Sequence, residues 1–316
     1  MNILFFVVHP SKYHVFKHVV NILKEEGHSV EILITSKDIL EDLVVSEGWK
    51  YTNIFPEGRK MEGLHPYFGA VINSLRTIYR LFKCVGRKKY DLFVTDDLLG
   101  FVGKVKNIPT FLFQDDDLSN VPESSLLMIF SDFILSPECT DLGPFKSKKL
   151  SYPSYKELGG LHPNRFVPNE DLVNKLLSKK RPYFLIRLVS LKAVHDVGKK
   201  GLSPIELSII IKYLEKHGQI FISSENKIPK YLEKYQIKID PKNMPHVLYF
   251  SKLFIGDSQT MCSEAGVLGT PFIRYNDFVG RVSTLDEIEN KYGLGFGVKT
   301  GEVNELVIRL KYLVED

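Results

Sequence analysis

Short apolar runs alternate with amphipathic stretches through both halves of the chain, which is the pattern of a parallel α/β sheet. In the first half, Ile3–Val8, Val30–Thr35, Tyr51–Phe55, Leu92–Thr95, Thr110–Phe113 and Phe133–Leu135 read as strands. Between the first two, Phe16, Val19, Val20 and Leu23 recur at helical spacing. They predict a helix from Lys12 to Glu26, stopped by Gly27. A longer helix is predicted from Tyr67 to Val85.

The second half repeats the alternation. Tyr183–Leu188, Ile220–Ser223 and Lys252–Ile255 read as strands, and Phe272-Ile273 opens another. Pro204–Lys216 is a helix with Ser203-Pro204 as its start signal. Between the halves, 136–181 carries Pro137, Pro144, Pro153, Pro163 and Pro168, with Gly143 and Gly159-Gly160. So many breakers disfavour one long element. The expected architecture is α/β, with two Rossmann-like domains facing a central cleft. These are a first domain over 1–150, a connection over 151–181 and a second domain over 182–316. A last helix over Glu302–Val314 is expected to pack back on the first domain. Ligands of such sheets bind at the carboxyl ends of the strands.

The stretch Leu253–Asn276, LFIGDSQTMCSEAGVLGTPFIRYN, reads as strand, tight turn, helix and strand. A small, hydroxyl-rich turn at a helix N-terminus presents unpaired N–H groups and the positive end of the helix dipole, which suit a diphosphate. Ser258 and Thr260 add hydroxyls, and Glu264, about a turn further in, could accept from a ribose diol. The plainer reading is Ser258 as an ordinary helix cap.

Composition narrows the class. The chain has 316 residues, 44% of them apolar and 25% charged, enough for a sizeable core. No apolar stretch is long enough for a membrane span, and the first strand lacks a signal peptide's basic flank. Cys84, Cys139 and Cys262 are scattered, which suggests a reducing cytoplasm and neither disulfides nor zinc. The net charge of +4 is too small to imply nucleic-acid binding. G-x-G-x-x-G is absent after the first strand, so NAD is not expected.

The Leu253–Asn276 stretch resembles the UDP-binding segment of the UDP-N-acetylglucosamine 2-epimerases, roughly S-D-S-G-G-x-x-E-E-A-x-x-L-G-x-P. Asp257, Ser258, Glu264, Ala265, Leu268, Gly269 and Pro271 match, while Gln259 and Thr260 replace the two glycines. A closer resemblance is to an uncharacterised prokaryotic family related to those epimerases. Its motifs appear here as His9-Pro10, then Arg187, Val189, Ser190, Ala193, His195, Asp196, Gly198 and Gly201, then nearly all of G-D-S-x-T-M-x-x-E-A-x-x-L-G-T-P-x-I-R. The resemblance implies a GT-B-like fold and a nucleotide-sugar ligand, most simply a UDP-sugar. Leu191 and Val8 depart from that family's usual Trp and Gly, and the epimerase H-R-R-E-N pattern is missing.

The expected function is therefore a nucleotide-sugar-dependent glycosyltransferase of cell-surface polysaccharide synthesis. The alternative is a 2-epimerase or hydrolysing epimerase, and a third is a non-catalytic nucleotide-sugar sensor. Candidate catalytic groups are His9, Asp97 of the Asp96-Asp97 pair, Asp115 and Asp117 of the triple aspartate, and His195. At corresponding strand ends the resemblance implies carboxylates in proton transfer, and clustered acids can hold separated pKa values. Arg187, Ser190, Gly256, Asp257, Ser258, Gln259, Thr260 and Glu264 would bind the nucleotide sugar, with Arg187 neutralising the diphosphate. No tightly bound cofactor is expected. Three adjacent carboxylates suggest a divalent cation as the lesser reading, but consecutive side chains do not all point one way, so no metal site is assigned. His14 and His18 lack a third ligand. A sugar or lipid-linked molecule is the expected acceptor. The basic, amphipathic stretch 75–89 suggests peripheral contact with the inner face of a membrane, against the simpler reading of a solvated helix face.

Overall fold

The computed structural model describes residues 1–37, 39–59, 66–177, 182–189, 201–225 and 227–315. They divide into two compact units, Met1–Gly160 and Leu161–Asp316.

Among the described residues the first unit holds a seven-stranded sheet: β1 (Asn2–Val7), β2 (Ser29–Ile34), β3 (Thr52–Asn53), β4 (Leu92–Thr95), β5 (Thr110–Phe113), β6 (Phe133–Pro137) and β7 (Lys149–Tyr152). Its order is β3-β2-β1-β4-β5-β6-β7, with every pair parallel. Leu4, Phe6 and Phe93 face one layer, and Phe5, Ile32 and Val94 the other. Burial on both faces is why β1 is apolar from Ile3 to Val7. The helices are α1 (Pro10–Glu25), α2 (Leu40–Ser46), α3 (Pro66–Val85), α4 (Leu99–Lys106), α5 (Ser125–Phe130) and α6 (Leu158–Leu161). His9 caps α1, its ring accepting from the Ser11 N–H, and Pro10 opens the helix.

The second unit has β8 (Tyr183–Leu188), β9 (Gln219–Ser224), β10 (Leu253–Gly256), β11 (Phe272–Tyr275) and β12 (Gly295–Val298), in parallel order β12-β11-β10-β8-β9. Its helices are α7 (Glu170–Leu177), α8 (Pro204–Leu214), α9 (Met244–Tyr249), α10 (Gln259–Leu268), α11 (Ser283–Asn290) and α12 (Val303–Glu315). A capping box between Ser203 and Glu206 starts α8. The apolar stripe of α12 faces the core of this unit. Leu306, Leu310 and Val314 lie in the core with Ile210, Ile255 and Ile273.

Both sheets are doubly wound. The strand order reverses between β1 and β4 in the first and between β8 and β10 in the second. A crevice opens at each reversal, because the loops leaving the two strands go to opposite faces. No helix among the described residues is long and apolar enough to cross a membrane.

Candidate functional site

The first unit gathers charged groups at the carboxyl ends of β1, β4 and β5. Asp96 follows β4 and accepts from the Val8 N–H of the neighbouring β1 at 3.0 Å, so it spans the reversal point. Burial, reinforced by the adjacent Asp97, raises its pKa from 3.8 to about 7, against the pull of Lys12 and the Val8 N–H. Asp97, the member of the pair expected to be catalytic, does local work. It takes an ion pair from Arg59 at 2.7 Å and accepts from the Leu98 N–H at 2.6 Å. Asp96 is therefore the carboxyl that can change protonation near neutrality.

Asp115, after β5, is 6% exposed and held between the ammonium groups of Lys12 and Lys156. Burial pushes its pKa up, but the two lysines outweigh it and hold the carboxyl well below the usual range. The reciprocal effect raises the pKa of Lys156 despite its burial. Asp115 is thus a fixed counter-ion, poorly placed to act as the acid or base expected of it. Asp117 accepts from the Asp141 N–H at 2.7 Å and ties down its loop. Asp115 and Asp117 therefore do different things, although both are buried. Among the described residues no group of three or more acidic, His or Cys side chains could hold a metal.

His9 lies within reach of these charges. The residue is exposed, yet desolvation by the chain packed around its ring, then Lys37, Lys12 and Lys156, lower its pKa to about 4, so its ring is neutral at pH 7. Glu157, beside Lys156, is pushed up by burial. Tyr152 stacks on Phe113 with ring centroids 6.2 Å apart. Asp115, Glu157 and Lys156 all act on its titration, yet its hydroxyl is buried without a hydrogen bond. An unmet buried hydroxyl costs on the order of 1–3 kcal/mol. Lys12, Tyr152, Lys156 and Glu157 are absent from the sequence expectation. The last three fall where the prolines suggested only a connection.

In the second unit the predicted turn is present. Ser258 caps α10, its hydroxyl accepting from the Met261 N–H at 3.3 Å. The first N–H groups of the helix, on Gln259 and Thr260, have no acceptor within it. Thr260 is exposed, and Gln259 and Glu264 are half-buried. The residues just before the turn serve the sheet. A Cβ on Gly256 would stand 2.9 Å from the Arg187 carbonyl oxygen, so the absent side chain lets β10 and β8 approach. Asp257 is 5% exposed and accepts from the Val189 N–H at 2.8 Å. Burial raises its pKa to about 6. Gly256 and Asp257 thus shape the turn.

Arg187 is already partnered. Its guanidinium donates to Ser223 Oγ and Glu225 Oε1 at 2.7 Å each, while its Nε is buried without a partner. Ser190 and His195 lie outside the described residues.

No protein-family model and no curated protein matches the chain. Solved structures do. The UDP-GlcNAc 2-epimerase of Methanocaldococcus jannaschii matches with a TM-score of 0.70 at 14% identity, covering 100% of this chain and 93% of that one. The Neisseria meningitidis enzyme, solved bound to UDP-GlcNAc, gives 0.67 at 13% identity, with the same coverages. The glycosyltransferase of kitacinnamycin gives 0.60 at 12% identity, covering 100% and 91%. Matches of this extent at this identity establish the architecture: the chain has the GT-B-like α/β fold of the UDP-GlcNAc 2-epimerases and of a glycosyltransferase.

Proposed function

We propose that the chain is an enzyme acting on a UDP-N-acetylhexosamine, and that 2-epimerisation, reversible or hydrolysing, is its better-supported reaction. Asp96 carries this reading. Inverting C2 of a sugar requires removing a proton from that carbon and returning one to the other face. A carboxyl with a pKa of about 7 at the β1/β4 reversal is suited to proton exchange at neutral pH. Lys12 and Lys156 keep Asp115 charged and immobile, so the neighbouring field is fixed before substrate arrives. The neutral His9 ring, which is exposed beside these charges, supplies a hydrogen bond to the sugar. In the second unit the N-terminus of α10, with Ser258 and Thr260, takes the diphosphate, and Glu264 takes the ribose. The fold supports the same choice, since two of the three matching structures named above are UDP-GlcNAc 2-epimerases.

The test is incubation with UDP-GlcNAc in deuterated water, without acceptor, followed by proton NMR. Deuterium at C2 together with the manno epimer, free or UDP-linked, supports the proposal. The second reading, glycosyl transfer, is favoured by the kitacinnamycin enzyme's shared fold. Turnover that begins only when an acceptor is added would replace the first reading with this one.

A further inference from the structure

Helix α3 presents an amphipathic face that the core does not use. Thr77, Leu81 and Val85 point inward and are fully buried. Val71, Leu75 and Tyr79 lie together on another side, at spacings of four residues, and are 59%, 62% and 69% exposed. Phe68, a turn earlier, continues the line at 69%. Exposed aromatic and aliphatic side chains at i, i+4 and i+8 form a continuous apolar stripe, unlike scattered surface residues.

The flank of that stripe is basic. Arg76, Arg80, Lys83 and Arg87 follow at spacings of four, three and four residues, and Lys88 and Lys89 extend the series. Residues 66–89 contain six basic and no acidic side chains. Arg76 and Arg80 are anchored by Glu57 and stack over the Phe55 ring, at 5.3 and 4.1 Å from its centroid. Their positions are thus set by the fold. Lys83, Arg87 and Lys89 are exposed.

We infer that α3 is a docking surface for a bilayer carrying anionic lipids. An apolar stripe with cations along its edge fits the boundary between acyl chains and headgroups, apolar side down, with lysines and arginines at the phosphates. The twenty residues of α3 give roughly 30 Å of contact line. A second copy of this chain is the poorer fit. A twofold contact places each patch against itself, which would bring the exposed cations Lys83, Arg87 and Lys89 of the two copies together. A nucleic acid would meet the cations but leave the stripe unused. The inference stands apart from the reaction proposed above.

The test is co-sedimentation of the full chain with phosphatidylcholine vesicles, with and without phosphatidylserine, at low and high salt. Binding should require the anionic lipid and weaken with salt. Lys83→Ala/Arg87→Ala should lose roughly 25-fold in partitioning, at about fivefold per cation. Leu75→Ser/Tyr79→Ser should lose about tenfold or more. All four side chains are exposed or lie past the helix end, so both variants should keep the wild-type circular dichroism spectrum and melting temperature. No binding to anionic vesicles by folded protein would overturn the inference. So would unchanged binding by the Leu75/Tyr79 variant, which would reduce the contact to charge adsorption. A dimer in solution that this same variant dissociates would assign the stripe to a second copy instead.

Discussion

Asp96 is the residue whose replacement separates function from stability. A carboxyl whose pKa rises from 3.8 to about 7 on folding binds more protons in the folded state than in the unfolded one across that interval. Stability therefore falls as pH rises through it, by about 1.4 kcal/mol per unit, and is restored below the unfolded value. Over the whole window this comes to about 4 kcal/mol. Asn cannot ionise, and its amide oxygen can still accept from the Val8 N–H. Asp96→Asn should thus be more stable than wild type near pH 8, by about 2–4 kcal/mol, and close to it near pH 4.

Urea unfolding of both proteins across this range measures the difference, in which the titrating groups not coupled to Asp96 cancel. Activity should move the opposite way. Wild-type turnover should show a limb near pH 7, and the variant should lose C2 proton exchange by roughly two to four orders of magnitude. A stabilising substitution that abolishes activity is the mark of a group retained for chemistry at a cost to the fold. If Asp96→Asn is instead destabilised equally at both ends of the range, the carboxylate is a brace for the β1 loop and the reasoning fails.

Two further outcomes follow from the same geometry. Asp115→Asn removes the shared counter-ion of Lys12 and Lys156 and should cost about 3–5 kcal/mol. Its carboxyl is depressed, so its contribution persists above its unfolded pKa of 3.8 and is lost only as pH falls through the lower folded value. The loss in urea unfolding should therefore be flat between about pH 5 and 8, and a change below about 1 kcal/mol would contradict the ion triad. Glu264→Gln should weaken UDP binding by roughly 10- to 100-fold. It should weaken binding of a 2′,3′-dideoxy analogue far less in isothermal titration, and equal losses would place Glu264 in the fold alone.

What the sequence revealed depended on how strongly each signal was enforced by burial. Ile3–Val8 and Tyr183–Leu188 are buried in the middle of sheets, so their apolar runs were unmistakable. Tyr51–Phe55 shrank to Thr52–Asn53, and Lys149–Tyr152 was missed. Both are edge strands with one neighbour and a weak pattern. The β10–α10 turn was legible because its Ser cap and helix spacing are local. The lysine bracket was not. Lys12 and Lys156 stand 103 and 41 residues from Asp115, and lysine in a sequence ordinarily reads as a solvated side chain. Nor could adjacency choose between Asp96 and Asp97, since the choice depends on which carboxyl reaches back to β1 and which meets Arg59.

The two reversal points give the strongest reason for placing the chemistry on Asp96. Each sheet puts an aspartate just after the strand beyond the reversal, and each aspartate accepts from a backbone N–H at the end of the strand on the other side. The raised pKa is common to both, so it cannot by itself identify the reacting group. Their neighbours can. The backbone of Gly201 lies against the Asp257 carboxylate so closely that a Cβ there would collide with it, and Asp257 is buried under that contact. Asp96 keeps partial access to solvent, and Asp97 and Lys12 adjust its titration from opposite directions. A proton-transfer group needs a shifted pKa and a route to the reacting atom. Asp257, closed over by Gly201, serves as the clasp of its loop, while Asp96 combines the shifted pKa with the more open position.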